Sequence, residues 1–139
     1  MKVPFLILAT VAVFATPAYA QELVGFKTPT SNIYCQQTDG DDVATLLRCE
    51  IREINRVPPQ PRASACDDWG HTFAMLEDGQ SYYECDEPDS VVNEDLLTLS
   101  YGSIWRRAGF TCKSEQTGLA CGNSRRHGFF LSKNAQRLF

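Results

Sequence analysis

The chain is poor in the groups that most often carry out reactions. It has two histidines, no Cys-x-x-Cys pair and no Gly-x-Ser-x-Gly setting for a nucleophile, and after its first 20 residues it has no apolar run long enough to span a bilayer. Each absence narrows the function. Without the cysteine pair, thiol redox cycling has no motif. Without the serine setting, an exposed nucleophile of the hydrolase type has no turn to sit on. His71 and His127 stand far apart in sequence, and neither has a partner that spacing alone would guarantee. The strictest alternative keeps one of them in a small envelope hydrolase, paired with Asp67 or Asp68.

Metal and cofactor signals are equally thin. Neighbouring cysteines lie nine to nineteen positions apart within the pairs considered below, which is not the close spacing of a zinc site. Asp39-Gly40-Asp41-Asp42 and Asp86-Glu87-Pro88-Asp89 crowd carboxylates in a way calcium could use, but the EF-hand spacing is missing from both, and solvated acidic loops account for them. No metal ligand and no cofactor is expected. There is no internal repeat, no low-complexity tract and no convincing helical period.

What the sequence does contain begins with a leader pattern. Lys2 is followed by an apolar run, Val3 to Ala15, and then by Ala18-Tyr19-Ala20, small residues three and one positions before a cut ahead of Gln21. The run is about 13 residues, too short for a membrane span. Residues 1–20 therefore read as a cleaved signal peptide and 21–139 as one exported domain, periplasmic or extracellular. Six cysteines follow, and an oxidising compartment turns such a set into disulfides. The sequential pairing, Cys35–Cys49, Cys66–Cys85 and Cys112–Cys121, is favoured because each intervening segment can fold back as a hairpin or compact loop.

Short β-prone runs alternate with turn residues. Leu23 to Thr28, Ile33-Tyr34-Cys35, Leu47 to Arg52, Thr72 to Leu76, Ser81 to Cys85, Leu96 to Gly102, the two arms of Phe110 to Asn123, and Phe129 to Ser132 all read as strands. Leu47, Cys49 and Ile51 should point inward by alternation. Asp78-Gly79 and Thr117-Gly118 mark hairpins. Val57-Pro58-Pro59-Gln60-Pro61 interrupts regular structure. The expectation is a small all-β domain, a disulfide-stapled sandwich or barrel of short antiparallel strands.

Charge is unevenly distributed. Asp39 to Asp95 holds fifteen acids and four bases, whereas Leu96 to Phe139 holds seven bases and one acid, Glu115. Side-by-side halves that partly neutralise one another would explain this, and so would a charged face for a partner. A net charge of −4 argues against nucleic acid as the main partner. Trp105, Arg106 and Arg107 with Arg125 and Arg126 could still form one basic patch around an aromatic platform for an anionic polymer or lipid headgroup. The plainer account puts Trp105 in the core with arginines around it.

Several stretches read together in order: Phe26 to Cys35, Cys49-Glu50-Ile51, Asp68-Trp69-Gly70, Tyr101-Gly102, Phe110 to Ser114, Gly118 to Asn123 and Gly128 to Ser132. They resemble a family of small exported bacterial proteins catalogued as a domain of unknown function. The resemblance implies a secreted, disulfide-containing domain of non-enzymatic appearance and supplies no active residues. The sequence thus reads as a non-catalytic binding module whose partner is an unidentified protein or envelope polymer. An inhibitor of a basic cell-wall enzyme such as lysozyme, using acids of Asp86 to Asp95, is the alternative within binding.

Overall fold

The computed structural model describes residues 24–38, 44–55, 66, 69–85 and 90–139. The leader 1–20, the acidic stretches 39–42 and 86–89, the proline run 57–61, and Asp67 and Asp68 lie outside the described residues. Within them the chain forms strands and no helix. Five strands make one antiparallel sheet in chain order: β1 (Gly25–Lys27), β2 (Ile33–Thr38), β3 (Leu46–Ile51), β4 (Thr72–Leu76) and β5 (Ser81–Glu84). Five more make the second, also in chain order: β6 (Ile104–Arg107), β7 (Phe110–Glu115), β8 (Gly118–Gly122), β9 (Gly128–Leu131) and β10 (Gln136–Leu138). The two sheets hydrogen-bond separately and share one core, which makes the fold a sandwich and not a barrel.

Alternation decides which side chains fill that core. In β3, Leu47, Cys49 and Ile51 are buried while Leu46, Arg48 and Glu50 are not, and in β7 Phe110, Cys112 and Ser114 are buried between exposed neighbours. The middle row of the first sheet reads Phe26, Cys35, Cys49, Phe73, Tyr83 across its five strands. The matching row of the second reads Trp105, Cys112, Cys121, Phe129, Leu138. These rows face one another: Phe26 and Trp105 have ring centroids 5.3 Å apart, and Phe73 and Phe129 5.9 Å. Between them the sulfurs of Cys35, Cys49 and Cys121 lie within 4.8 Å of one another.

Strand n+5 therefore lies over strand n, as an approximate twofold axis between the sheets would place it. This is a repetition of topology that the sequence does not display as a repeat, because only the inward rows match in kind and the loops between them differ in length. The bridges are Cys35–Cys49, Cys66–Cys85 and Cys112–Cys121, the sequential set. Two of them join residues directly opposite on adjacent strands, with Cα atoms 4.1 Å apart in each.

Three segments differ from the sequence expectation. Leu96 to Gly102 is not a sheet strand: it contributes one parallel bridge, Thr98 to Lys27, because Leu96 turns inward against Tyr34 and Val91. The strand at this point is β6, whose outward residues Ile104 and Arg106 are exposed, so its only apolar anchor is Trp105 and alternation was hard to see. β10 is a second strand where the expectation had only a closing segment.

The outer face of the first sheet is covered by residues 90–99. The Tyr34 hydroxyl donates to Glu94 at 2.6 Å, Gln36 donates to the Val91 carbonyl at 2.8 Å, and Ser90 donates to Glu50 at 2.7 Å. The acidic middle of the sequence thus supplies the first sheet and its cover, and the basic end supplies the second sheet.

Candidate ligand-binding cleft

The sandwich is open at one end, where a cleft of about 940 Å³ lies between turns of both sheets. One wall is the β1–β2 turn with the exit of β3. The Ser31 amide donates to the Thr28 carbonyl at 2.9 Å, and Ser31 takes a left-handed φ of 54°, which fixes Thr30 at the rim. The other wall is the two-residue β7–β8 turn, Gln116-Thr117, together with the β9–β10 connection. At its back the sheets are tied together: the Asn55 amide donates to the Lys133 carbonyl at 2.7 Å and its side chain donates to Asn134 at 2.7 Å.

Two glycines set the shape of this end. Gly118 has φ 149°, and a Cβ there would fall 2.5 Å from Phe130 Cζ and 2.7 Å from the Leu131 carbonyl, so its absence lets Phe130 lie against the turn. Gly102 has φ 82° in the turn Ser100–Ser103, which is closed by the Ser103 amide donating to the Ser100 carbonyl at 3.0 Å. That turn is stitched to β7 by the Gly102 amide donating to Ser114 at 2.7 Å and the Ser114 amide donating to Ser103 at 3.1 Å. Tyr101 is therefore held on a rigid corner, 43% exposed, lining the cleft.

The charges of the cleft are balanced. Arg52 and Lys133 stand with Glu53 and Glu115. Lys133 Nζ is 2.5 Å from Glu53, Lys113 is 2.8 Å from Glu115, and Arg52 is 3.8 Å from Glu94. The Lys133 hydrogen bond and charge hold the Glu53 carboxyl below the ordinary carboxylate range. A carboxyl kept ionised in this way cannot serve as a general acid near neutral pH.

The histidines do not line this cleft. His71 Nδ1 lies 2.6 Å from the Ile51 carbonyl, which makes that nitrogen the protonated one. His127 belongs to the β8–β9 turn, whose Asn123 side chain donates to the Leu76 and Gly79 carbonyls beyond the far end of β4. β4, five residues long, separates the two, a span of roughly 15 Å. They are at opposite ends of the sandwich.

Of the proposed basic patch, Trp105 is half-buried and packs its ring against Phe26 at the margin of the core. Arg106 and Arg107 end β6, and Arg125 and Arg126 lie in the β8–β9 turn, so the four arginines come to one end of the second sheet, opposite the cleft. The acidic β4–β5 turn joins them there. A Cβ on Gly109 would meet Glu77 at 4.0 Å, and Ser124 donates to the Glu77 carbonyl. Of the acids offered for an enzyme-inhibiting contact, Glu94 is engaged by Tyr34, with Lys27 beside it, and both hold its carboxyl below the usual range.

The one metal-like cluster among the described residues, Cys35, Cys49 and Cys121, consists of disulfide sulfurs with no thiolate to offer. The sequence marked the turns at Pro29–Asn32 and Thr117-Gly118 but not Thr30, Tyr101, Gln116 or Thr117 as a set. Their convergence depends on how the sheets stack. A sequence model of a family of unknown function, DUF6636, matches residues 6–139, and the chain belongs to that family. No curated protein and no solved structure matches it.

Proposed function

We infer that this DUF6636 member is an exported, non-catalytic binding module that takes its ligand in the cleft at the open end of the sandwich. The observation that carries this reading is a large recess walled by turns of both sheets and rimmed by side chains with no partner among the described residues. Turns that close the ends of a β-sandwich can vary without disturbing the core, which is why such ends serve as binding surfaces. Export is supported by the leader pattern and by three disulfides, which persist in oxidising compartments. Among the described residues no helix is long and apolar enough to cross a membrane.

The absence of catalysis is supported by the ion pairing of both cleft carboxylates and by the separation of the histidines. The test has two parts. Osmotic release followed by intact-mass measurement should find a chain that starts at Gln21 with all six cysteines oxidised; a cytoplasmic, reduced chain overturns the export reading. Amide shifts on adding a size-fractionated envelope extract should centre on residues 30–32, 101 and 115–118, and shifts confined to the opposite end would overturn the site. A bound component recovered chemically altered would overturn the non-catalytic reading.

A further inference from the structure

We propose that the cleft binds an uncharged saccharide chain, with Tyr101 as the stacking platform and Thr30, Gln116 and Thr117 as hydrogen-bonding rims. This rests on the reading of the cleft as the ligand site and goes on to name the ligand's chemistry. Three observations point the same way. The first is charge. Two cations and two anions line the cleft, and each has a counter-charge within 3.8 Å, so the lining carries no excess charge of either sign to draw an ionic ligand. An uncharged ligand needs none.

The second is the set of side chains left over. Thr30 and Ser31 on one wall and Gln116 and Thr117 on the other have no side-chain hydrogen bond among the described residues, and all four are hydroxyl or amide groups that both donate and accept. Vicinal hydroxyls have the same dual character, and a ligand that carries many of them can satisfy both walls together. The third is Tyr101. Its ring is displayed on a turn held to β7 by two backbone hydrogen bonds, and its hydroxyl has no partner among the described residues. A rigid aromatic face with a polar tip matches the C–H face and hydroxyl edge of a pyranose, and because the turn is already fixed little ordering entropy is lost on stacking.

Size and shape separate a sugar chain from the other neutral candidates. A recess near the top of the range of roughly 300–1,000 Å³ filled by small ligands suits several sugar units better than one. An extended peptide would be recognised by adding to a free strand edge, but the walls here are turn tips and strand ends, not an edge. The Phe130 ring, which also lines the cleft, already carries the Arg137 guanidinium 4.9 Å from its centroid, which leaves Tyr101 as the platform.

The experiment uses the oxidised exported chain, with cellotetraose, maltotetraose and fully N-acetylated chitotetraose as uncharged probes read by amide chemical shifts and calorimetry. At least one should shift residues 30–32, 101 and 115–118. Its affinity should change by less than about twofold between low and high salt, since no charge is exchanged with the ligand. Tyr101→Ala should weaken it about tenfold, Tyr101→Phe by no more than about threefold, and Gln116→Ala by about threefold to fivefold. Unchanged melting temperatures in these surface variants separate lost contacts from lost structure. The saccharide proposal is overturned if none of the three shifts these amides, if affinity falls steeply with salt, or if Tyr101→Ala binds as the wild type does. If heparin or a peptide shifts the same amides while the saccharides do not, the cleft remains the ligand site and only its chemistry is wrong. If every shift falls elsewhere, both readings fail.

Discussion

Removing the two facing disulfides together should cost less than the sum of removing each. In the chain-entropy account, bridges with sequence separations of 14, 19 and 9 close loops worth roughly 3.0, 3.3 and 2.7 kcal/mol respectively. Because the pairing is sequential, the loops do not nest, and these contributions should simply add. The structure introduces a further contribution. Sulfurs of Cys35 and Cys49 pack against that of Cys121, so each Cys→Ala pair also empties buried volume at about 1 kcal/mol per sulfur. Once one bridge is gone, the other has already lost its neighbour. Cys35→Ala/Cys49→Ala and Cys112→Ala/Cys121→Ala should each cost about 5 kcal/mol, and the fourfold variant about 1 kcal/mol less than their sum. The Cys66–Cys85 bridge lies outside the central cluster, and its removal should add to either within about 0.5 kcal/mol. Urea unfolding followed by tryptophan fluorescence measures all of these, with trimethylamine oxide keeping the weakest variant folded. Strict additivity of the facing pair, within about 0.3 kcal/mol, would mean that the sulfur contact contributes nothing and that the two sheets do not meet as described.

Arg48→Ala should destabilise by about 2–3 kcal/mol in urea, because Arg48 and Glu84, with side chains 15% and 13% exposed, form a two-pronged pair diagonally across β4, Arg48 opposite Ala74 and Glu84 opposite Thr72; a loss under about 0.5 kcal/mol would contradict that burial. Gly118→Ala should cost about 2 kcal/mol or more, against about 1 for Gly102→Ala, where φ is positive but nothing lies within 4 Å; equal costs would show that Phe130 does not rest on Gly118. Acid should destabilise through Glu53 and Glu94. Their folded-state pKa values lie below the ordinary 4.5, so the stability they contribute is complete above that value and is lost as pH falls through the depressed folded values. Tyr34→Phe removes the main hydrogen bond that lowers Glu94, so the fall in melting temperature from pH 7 to pH 3 should be smaller in that variant, and an identical fall would refute the assignment.

Much of the scaffold could be read along the chain because its causes are local. The inward alternation of Leu47, Cys49 and Ile51, the Asp78-Gly79 and Thr117-Gly118 hairpins, and a cysteine pairing in which each loop folds back on itself all depend on residues within about twenty positions. What could not be read depends on the second sheet settling over the first. Trp105, flanked by arginines, allowed a surface platform as well as the plainer core reading, and only the second sheet's placement sets its ring against Phe26. Leu96 to Gly102 had strand composition, yet it meets the edge of β1 only at Lys27, because Leu96 buries beside Tyr34 at one end and the Ser100–Ser103 turn closes the other. Thr30, Tyr101 and Gln116 carry no mark of their own. They become a site only because strand n+5 lies over strand n, which brings turn tips from opposite sheets to the same end, and side-chain alternation specifies which face turns inward without specifying which end of the partner sheet it will meet.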